Sequence, residues 1–433
     1  MSSGLLAAIV FVITYGLIVA IYDWRTVTVW AAVVVLFVFR VIDLRGAIAA
    51  IDWNVVLLYF GMLFVSEAFL YSRMPDYLAT HVVGRTGKVG AAMLLLCILT
   101  GLLSVALENV AVVLLMAPVA LSISRSCNIS PGPLFVGMAV SSNLQGAATL
   151  IGDPPSMLLA GFTGMSFNDF FVVNGKPSIF FAVQVGAIVS AFVLALAFRG
   201  ERRPMPAIEP VHIRSKTPAF IILALVLSLV VTSTFFHSTH IATGLVCAIY
   251  GAISAAWYVF HVHRSEEGNG ADKRKNLSRT LFNLDWQTGL FLIGVFVLVS
   301  SLTSTGLMSL IADLILSISG SNAFAIFLLV VGISVLVSAF VDNVPFLVAM
   351  LPVLKTLTAS SEADPNLFYF GLLIGASVGG NITPIGASGN IVAMGIVKRE
   401  GYSVRFFDFV KIGLPFTLVA VMASAAFLWV VFT

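Results

Sequence analysis

Apolar residues come in long runs separated by short polar loops, and such runs recur along nearly the whole chain. A helix that crosses a bilayer needs about 20 predominantly apolar residues. Runs of that size are predicted as spanning helices at 4–22, 27–44, 54–71, 177–198, 218–236, 240–261, 287–304 and 410–432. Between them, apolar arms meet at two polar tips, Glu108-Asn109 and Asp342-Asn343. Two further stretches are interrupted at Gly152-Asp153-Pro154-Pro155 and near Pro384-Ile385-Gly386. Proline lacks an N–H and fixes φ, so these read as broken helices. The run from Gly4 to Tyr22 has no Lys or Arg before it and no small-residue cleavage site after it. It reads as a retained helix and not as a signal peptide.

The punctuation repeats. Asn109 to Ser156 aligns without a gap onto Asn343 to Asn390 at an offset of 234 residues. Met116, Pro118 and Val119 match Met350, Pro352 and Val353, and Thr149, Ile151 and Gly152 match Thr383, Ile385 and Gly386. Asp52-Trp53 and Asp285-Trp286 open corresponding apolar stretches and read as interfacial anchors. The chain therefore divides into a first repeat (1–198), a cytoplasmic linker (199–217) and a second repeat (218–433). If each two-armed element re-enters on its own side, each repeat crosses five times, and an odd number turns the second copy over. The expected fold is an all-α polytopic membrane protein of two inverted repeats, each with five spanning helices plus a re-entrant hairpin. Its broken helices would lie at the midplane, an architecture used by secondary transporters.

Charge orients this layout. Lys and Arg favour cytoplasmic loops, and the segments 199–217 and 262–286 carry ten of them. With those segments inside, 19 of the 23 Lys and Arg fall inside and only Arg40, Arg45, Lys176 and Lys355 outside. Both termini are then outside. Only 10% of residues are charged and 59% are hydrophobic, against about one quarter charged in an ordinary globular domain, so a soluble enzyme is excluded. No basic, aromatic window suggests nucleic acid. The segment Gly84 to Lys88 has the wrong spacing for a phosphate loop. Cys97, Cys127 and Cys247 are too far apart for a disulfide framework, and Cys97 and Cys247 read as packing residues. His237, His240, His261 and His263 read as solvated, not metal-bound. No cofactor is expected, and without a nucleotide motif transport would be driven by an ion gradient.

A turn at membrane depth frees backbone groups that lipid cannot satisfy. The tips then line one central site, with Asn109 and Asn343 holding the solute from opposite sides. The blander reading makes both tips helix caps in water. At the breaks, Thr149, Gly152, Ser156, Thr383, Gly386, Ser388 and Asn390 are candidate solute ligands. Freed helix ends there present N–H groups to anions and carbonyls to cations. Glu108, Asp153 and Asp342 are candidate ion- or proton-coupling groups, since a buried carboxylate titrates readily. Glu67, alone in an apolar run, is either a coupling group or a structural acid.

Leu107-Glu108-Asn109-Val110 through Pro118, followed by Ser142 through Pro155, resembles the ion transporter superfamily. That superfamily includes arsenite permeases, the melanosomal P protein, NhaD-type sodium/proton antiporters and dicarboxylate/citrate symporters. Asp342 to Pro345 with Gly380 to Gly386 looks like the matching half. The motifs are most similar to the arsenite permease and P protein branch, and the resemblance covers about residues 50–430. It implies a scaffold and a transport domain. It also implies a proton-coupled arsenite or antimonite permease in a bacterial or archaeal cytoplasmic membrane, with room for a soluble ATPase partner and a homodimer. Symporters of the superfamily carry Ser-Asn-Thr at the tips, where this chain has Glu-Asn-Val and Asp-Asn-Val. Two acids would repel a dicarboxylate and suit a neutral solute or a cation better. The alternatives are a sodium/proton antiporter and a sodium-coupled di- or tricarboxylate symporter.

Overall fold

The apolar runs fold as helices, because a helix satisfies all its backbone groups internally. A computed structural model describes residues 3–21, 24–205, 211–235, 242–265, 284–302, 307–320, 322–359 and 363–433. The first half holds α1 (Ser3–Ala20), α2 (Arg25–Val38), α3 (Leu44–Ala50), α4 (Trp53–Tyr71) and α5 (Met74–Val83). A helical hairpin follows, α6 (Val89–Ser104) and α7 (Asn109–Cys127), then α8 (Gly132–Gly146), α9 (Pro154–Thr163) and α10 (Ile179–Phe198). The second half holds α11 (Thr217–Phe235), α12 (Ala242–Ser265), α13 (Trp286–Ser300) and α14 (Leu307–Ser319). Its hairpin is α15 (Ala323–Ser338) and α16 (Asn343–Ala359), followed by α17 (Pro365–Gly379), α18 (Ser388–Arg399) and α19 (Phe406–Phe432). The predicted tips and breaks coincide with the α6–α7, α15–α16, α8–α9 and α17–α18 junctions.

Two predictions need correction. The helix expected over 27–44 stops at Val38, because Arg40 takes a left-handed φ of 56° and Asp43 caps the separate α3. Between α9 and α10 the chain makes a two-stranded hairpin, β1 (Val172–Val173) with β2 (Lys176–Pro177). Asp52 and Asp285, expected as interfacial anchors, cap α4 and α13. His237, His240 and the side chain of His263 lie outside the described residues; His261 is half-buried and stacks on Trp257 at 4.9 Å between ring centroids. All three cysteines are buried.

Among the described residues, six helices (α4, α7, α10, α11, α12 and α19) are long and apolar enough to cross a membrane. Their outward faces carry large apolar side chains, such as Phe192 at 67% and Val430 at 79% exposure. Large exposed apolar surface marks a membrane or partner face. Inside, α4 packs along α12 with almost no side chain between them, since a Cβ on Gly251 would sit 2.7 Å from the Gly61 Cα. Such backbone approach is how helices associate where no hydrophobic drive acts between them. The hairpins, the broken pairs α8–α9 and α17–α18, and α10 against α19 pack together beside this group.

Candidate transport site

Each hairpin turns in four residues, and an acid closes the turn by capping the next helix. The Glu108 carboxylate accepts from the Ala111 N–H at 3.0 Å, and Asp342 accepts from the Val344 N–H at 3.0 Å. Asn109 and Asn343 are therefore the first residues of α7 and α16, where N–H groups point outward unsatisfied. The tips are caps, as the blander reading held, but they are not in water: Asn109, Asp342 and Asn343 are each at least nine-tenths buried.

The breaks hold the tips. Thr149 donates its hydroxyl to the Val105 carbonyl, and Thr383, 234 residues on, does the same to the Ala339 carbonyl. Gly152 and Gly386 let the chain pass close by. A Cβ on Gly152 would lie 2.9 Å from the Ser104 carbonyl oxygen, and one on Gly386 would lie 2.8 Å from that of Ala339. Ser104 donates to the Asn109 Oδ1 at 2.5 Å, and Ser142 donates to Ser104 and to the Asn109 carbonyl at 3.0 and 3.3 Å. Asn390 donates to the carbonyls of Gly380 and Thr383, both at 2.9 Å. These residues brace the tip from behind.

What the braces enclose is a cavity of about 30 Å³. Glu108, Asn109, Asp342 and Asn343 line it, with Ser388 beside them. Thr149, Gly152, Asp153, Ser156, Thr383, Gly386 and Asn390 do not line it, and neither does Glu67, half-buried on α4. Among the described residues no protein group hydrogen-bonds the Asn343 amide, and the Asn109 Nδ2 is likewise open to the cavity.

Sequence reasoning missed three lining groups. Arg25, at the start of α2, donates to Asp342 at 2.6 Å and to Thr288 at 3.1 Å, and lies over the Phe291 ring at 5.5 Å. Asp285 caps α13, accepting from the Thr288 N–H at 3.1 Å and its hydroxyl at 2.6 Å, and lines the same cavity as Glu108. Asn143 bonds Asn381 and Asn390 at 2.8 and 3.0 Å on the cavity's inner side. The cavity thus holds three carboxylates against one guanidinium, with the N-termini of α7, α9, α13, α16 and α18 opening on it.

The chain has known relatives. The citrate transporter family profile (CitMHS) matches residues 9–268 and 270–433, nearly the whole chain. The chain belongs to the citrate transporter family. An uncharacterized transporter of Mycobacterium tuberculosis is 30% identical over 435 residues, covering 98% of each chain. The mouse P protein is 26% identical over 470 residues, with 89% of this chain and 54% of that one covered. Two solved structures share the fold of this citrate transporter family member. The YdaH transporter of Alcanivorax borkumensis superposes with a TM-score of 0.61 at 13% identity, covering 99% of this chain and 98% of that one. MtrF of Neisseria gonorrhoeae, described as one of a class of antimetabolite efflux pumps, gives 0.57 at 14%, covering 92% and 84%. The chain is a polytopic membrane transporter, and the arsenite permease branch expected from its motifs is not singled out among these relatives.

Proposed function

We propose that the chain is a secondary active transporter that exports a small hydroxylated inorganic solute, arsenite or antimonite, in exchange for protons. The supporting observation is the cavity of about 30 Å³ closed by both hairpin tips, in which the Asn343 amide and the Asn109 Nδ2 face three carboxylates. A neutral trihydroxide offers O–H donors to Glu108, Asp285 and Asp342 and accepts from Asn109 and Asn343. Glu108 and Asp342, with Asp153 behind the wall, are the proposed proton carriers. The halves 1–198 and 218–433 form inverted repeats with both termini outside, and one hairpin tip opens from each face.

Arg25 favours a second reading. A guanidinium in the cavity, with helix N-termini around it, suits an anion, and the family description names citrate. Proteoliposomes holding the purified chain under an imposed pH gradient decide between them. Arsenite accumulation that collapses with the gradient, without citrate uptake, is expected; citrate uptake without arsenite movement overturns the first reading in favour of the second.

A further inference from the structure

A second cavity, of about 430 Å³, shares no lining residue with the central one. The two meet different faces of α8: Asn143 lines the central cavity, whereas Ser141, Leu144 and Gln145 line the second. Its opposite wall is α10, where Ala187, Ala191 and Ala195 stand four residues apart and leave room between the helices. At its rim the side chains of Leu102, Ile188 and Phe192 are apolar and exposed. Because α10 is long and apolar enough to span a membrane, this rim opens sideways into lipid.

The inner wall is polar but carries no charge among the described residues. Gln145 and Gln184 pair across it, each Nε2 donating to the other's Oε1, at 3.1 and 2.8 Å. An amide nitrogen has two hydrogens, so each keeps one N–H beyond the pair. Ser141 is only 8% exposed, yet its hydroxyl has no hydrogen-bond partner among the described residues. A buried hydroxyl left so is costly. Hydrocarbon alone would fill the volume and leave that demand unmet. Water would meet the demand and fit poorly against the alkyl walls. A molecule with a hydroxyl at one end of a hydrocarbon tail does both.

We propose that this cavity binds an uncharged single-chain lipid, head inwards. Its hydroxyl sits among Ser141, Gln145 and Gln184, and its tail passes out between α6 and α10 to the bilayer. The volume lies in the range of small-molecule pockets, about 300–1,000 Å³. A phosphate or carboxylate head would be buried there with no opposite charge to meet it. Occupancy also reaches the central site, because Gly146, the residue after Gln145, packs on the Asn109 amide. On the transport reading given above, a lipid held by Gln145 would restrain the first hairpin tip.

The test uses the purified full-length protein in phosphatidylcholine nanodiscs. The probe is hexadecanol carrying a diazirine beside the hydroxyl and an alkyne at the tail. After photolysis, adducts should concentrate at 141–145 and 184–191, saturate, and be displaced by unlabelled hexadecanol but not by hexadecane. Ala191→Trp fills the cavity and should cut labelling about tenfold. Ser141→Ala removes one partner of the head and should raise the half-saturating probe concentration about fivefold. Labelling spread evenly over the lipid-facing helices overturns the proposal, as does labelling unmoved in a folded Ala191→Trp. Equal competition by hexadecane, or unchanged saturation in Ser141→Ala, also overturns it, leaving a cavity that holds hydrocarbon only. Those two results decide the matter even where Ala191→Trp does not fold. The readout is occupancy without any transported solute, so it stands or falls apart from the substrate assay.

Discussion

The Arg25–Asp342 contact joins side chains 317 residues apart, with 13% and 3% of their surfaces exposed. Removing one member of a buried ion pair strands the other charge, at a cost of about 3–5 kcal/mol. Arg25→Gln should therefore destabilise the protein by that order in thermal unfolding. The double variant Arg25→Gln/Asp342→Asn should recover most of the loss, since it strands no charge. Equal instability of the single and double variants would show that Arg25 acts through packing on Phe291. Asn343→Ala removes an amide that no group among the described residues engages, so it should fold normally and abolish transport in the vesicle assay. The tip residues were legible in the sequence because acid-Asn pairs interrupt apolar runs at one repeated offset. Arg25 was not. It follows Trp24 at the head of an ordinary apolar run and counts there as one more loop charge, and nothing local announces an acid folded against it.

At the scale of elements, each break is tied to its own tip by one threonine hydroxyl, Thr149 to Val105 and Thr383 to Ala339. Sequence reasoning placed both threonines at the breaks correctly and made them solute ligands; the structure turns their hydroxyls to the tip carbonyls instead. The side chain's direction depends on how closely break and tip approach, which Gly152 and Gly386 permit and the repeat pattern does not encode. Thr149→Val and Thr383→Val should each destabilise by about 1–3 kcal/mol, the cost of an orphaned buried carbonyl. Thr149→Ser should stay near wild type. A valine variant as stable as the serine one would mean that the tips stand without these ties. The short hairpin at 172–177 had a readable signal that was passed over. Asn174-Gly175 takes positive φ at both positions, 52° and 75°, the preference of a two-residue hairpin turn.

The whole molecule rests on an orientation that helix assignment alone leaves open. Apart from α3 and the β1–β2 hairpin, the described helices of the two halves follow the same order, and the bounds of α6 and α15 coincide at the offset of 234. Matching elements do not fix their sense across a bilayer; the proposed inversion rests on the charge split of 19 to 4. Under inversion, equivalent loops must face opposite sides. The segment 164–178 joins α9 to α10, and 400–405 joins α18 to α19. Val172 in the first and Tyr402 in the second are exposed, at 52% and 43%. Because the three native cysteines are buried, single cysteines can be labelled over a low background. In sealed cells an impermeant maleimide should modify Val172→Cys and spare Tyr402→Cys and Gly200→Cys, which should react only after permeabilisation. Labelling of Val172→Cys and Tyr402→Cys from the same side would make the repeats parallel. The central site would then lose its symmetry, since both tips would open towards one face and Asn109 and Asn343 could not meet a solute from opposite sides.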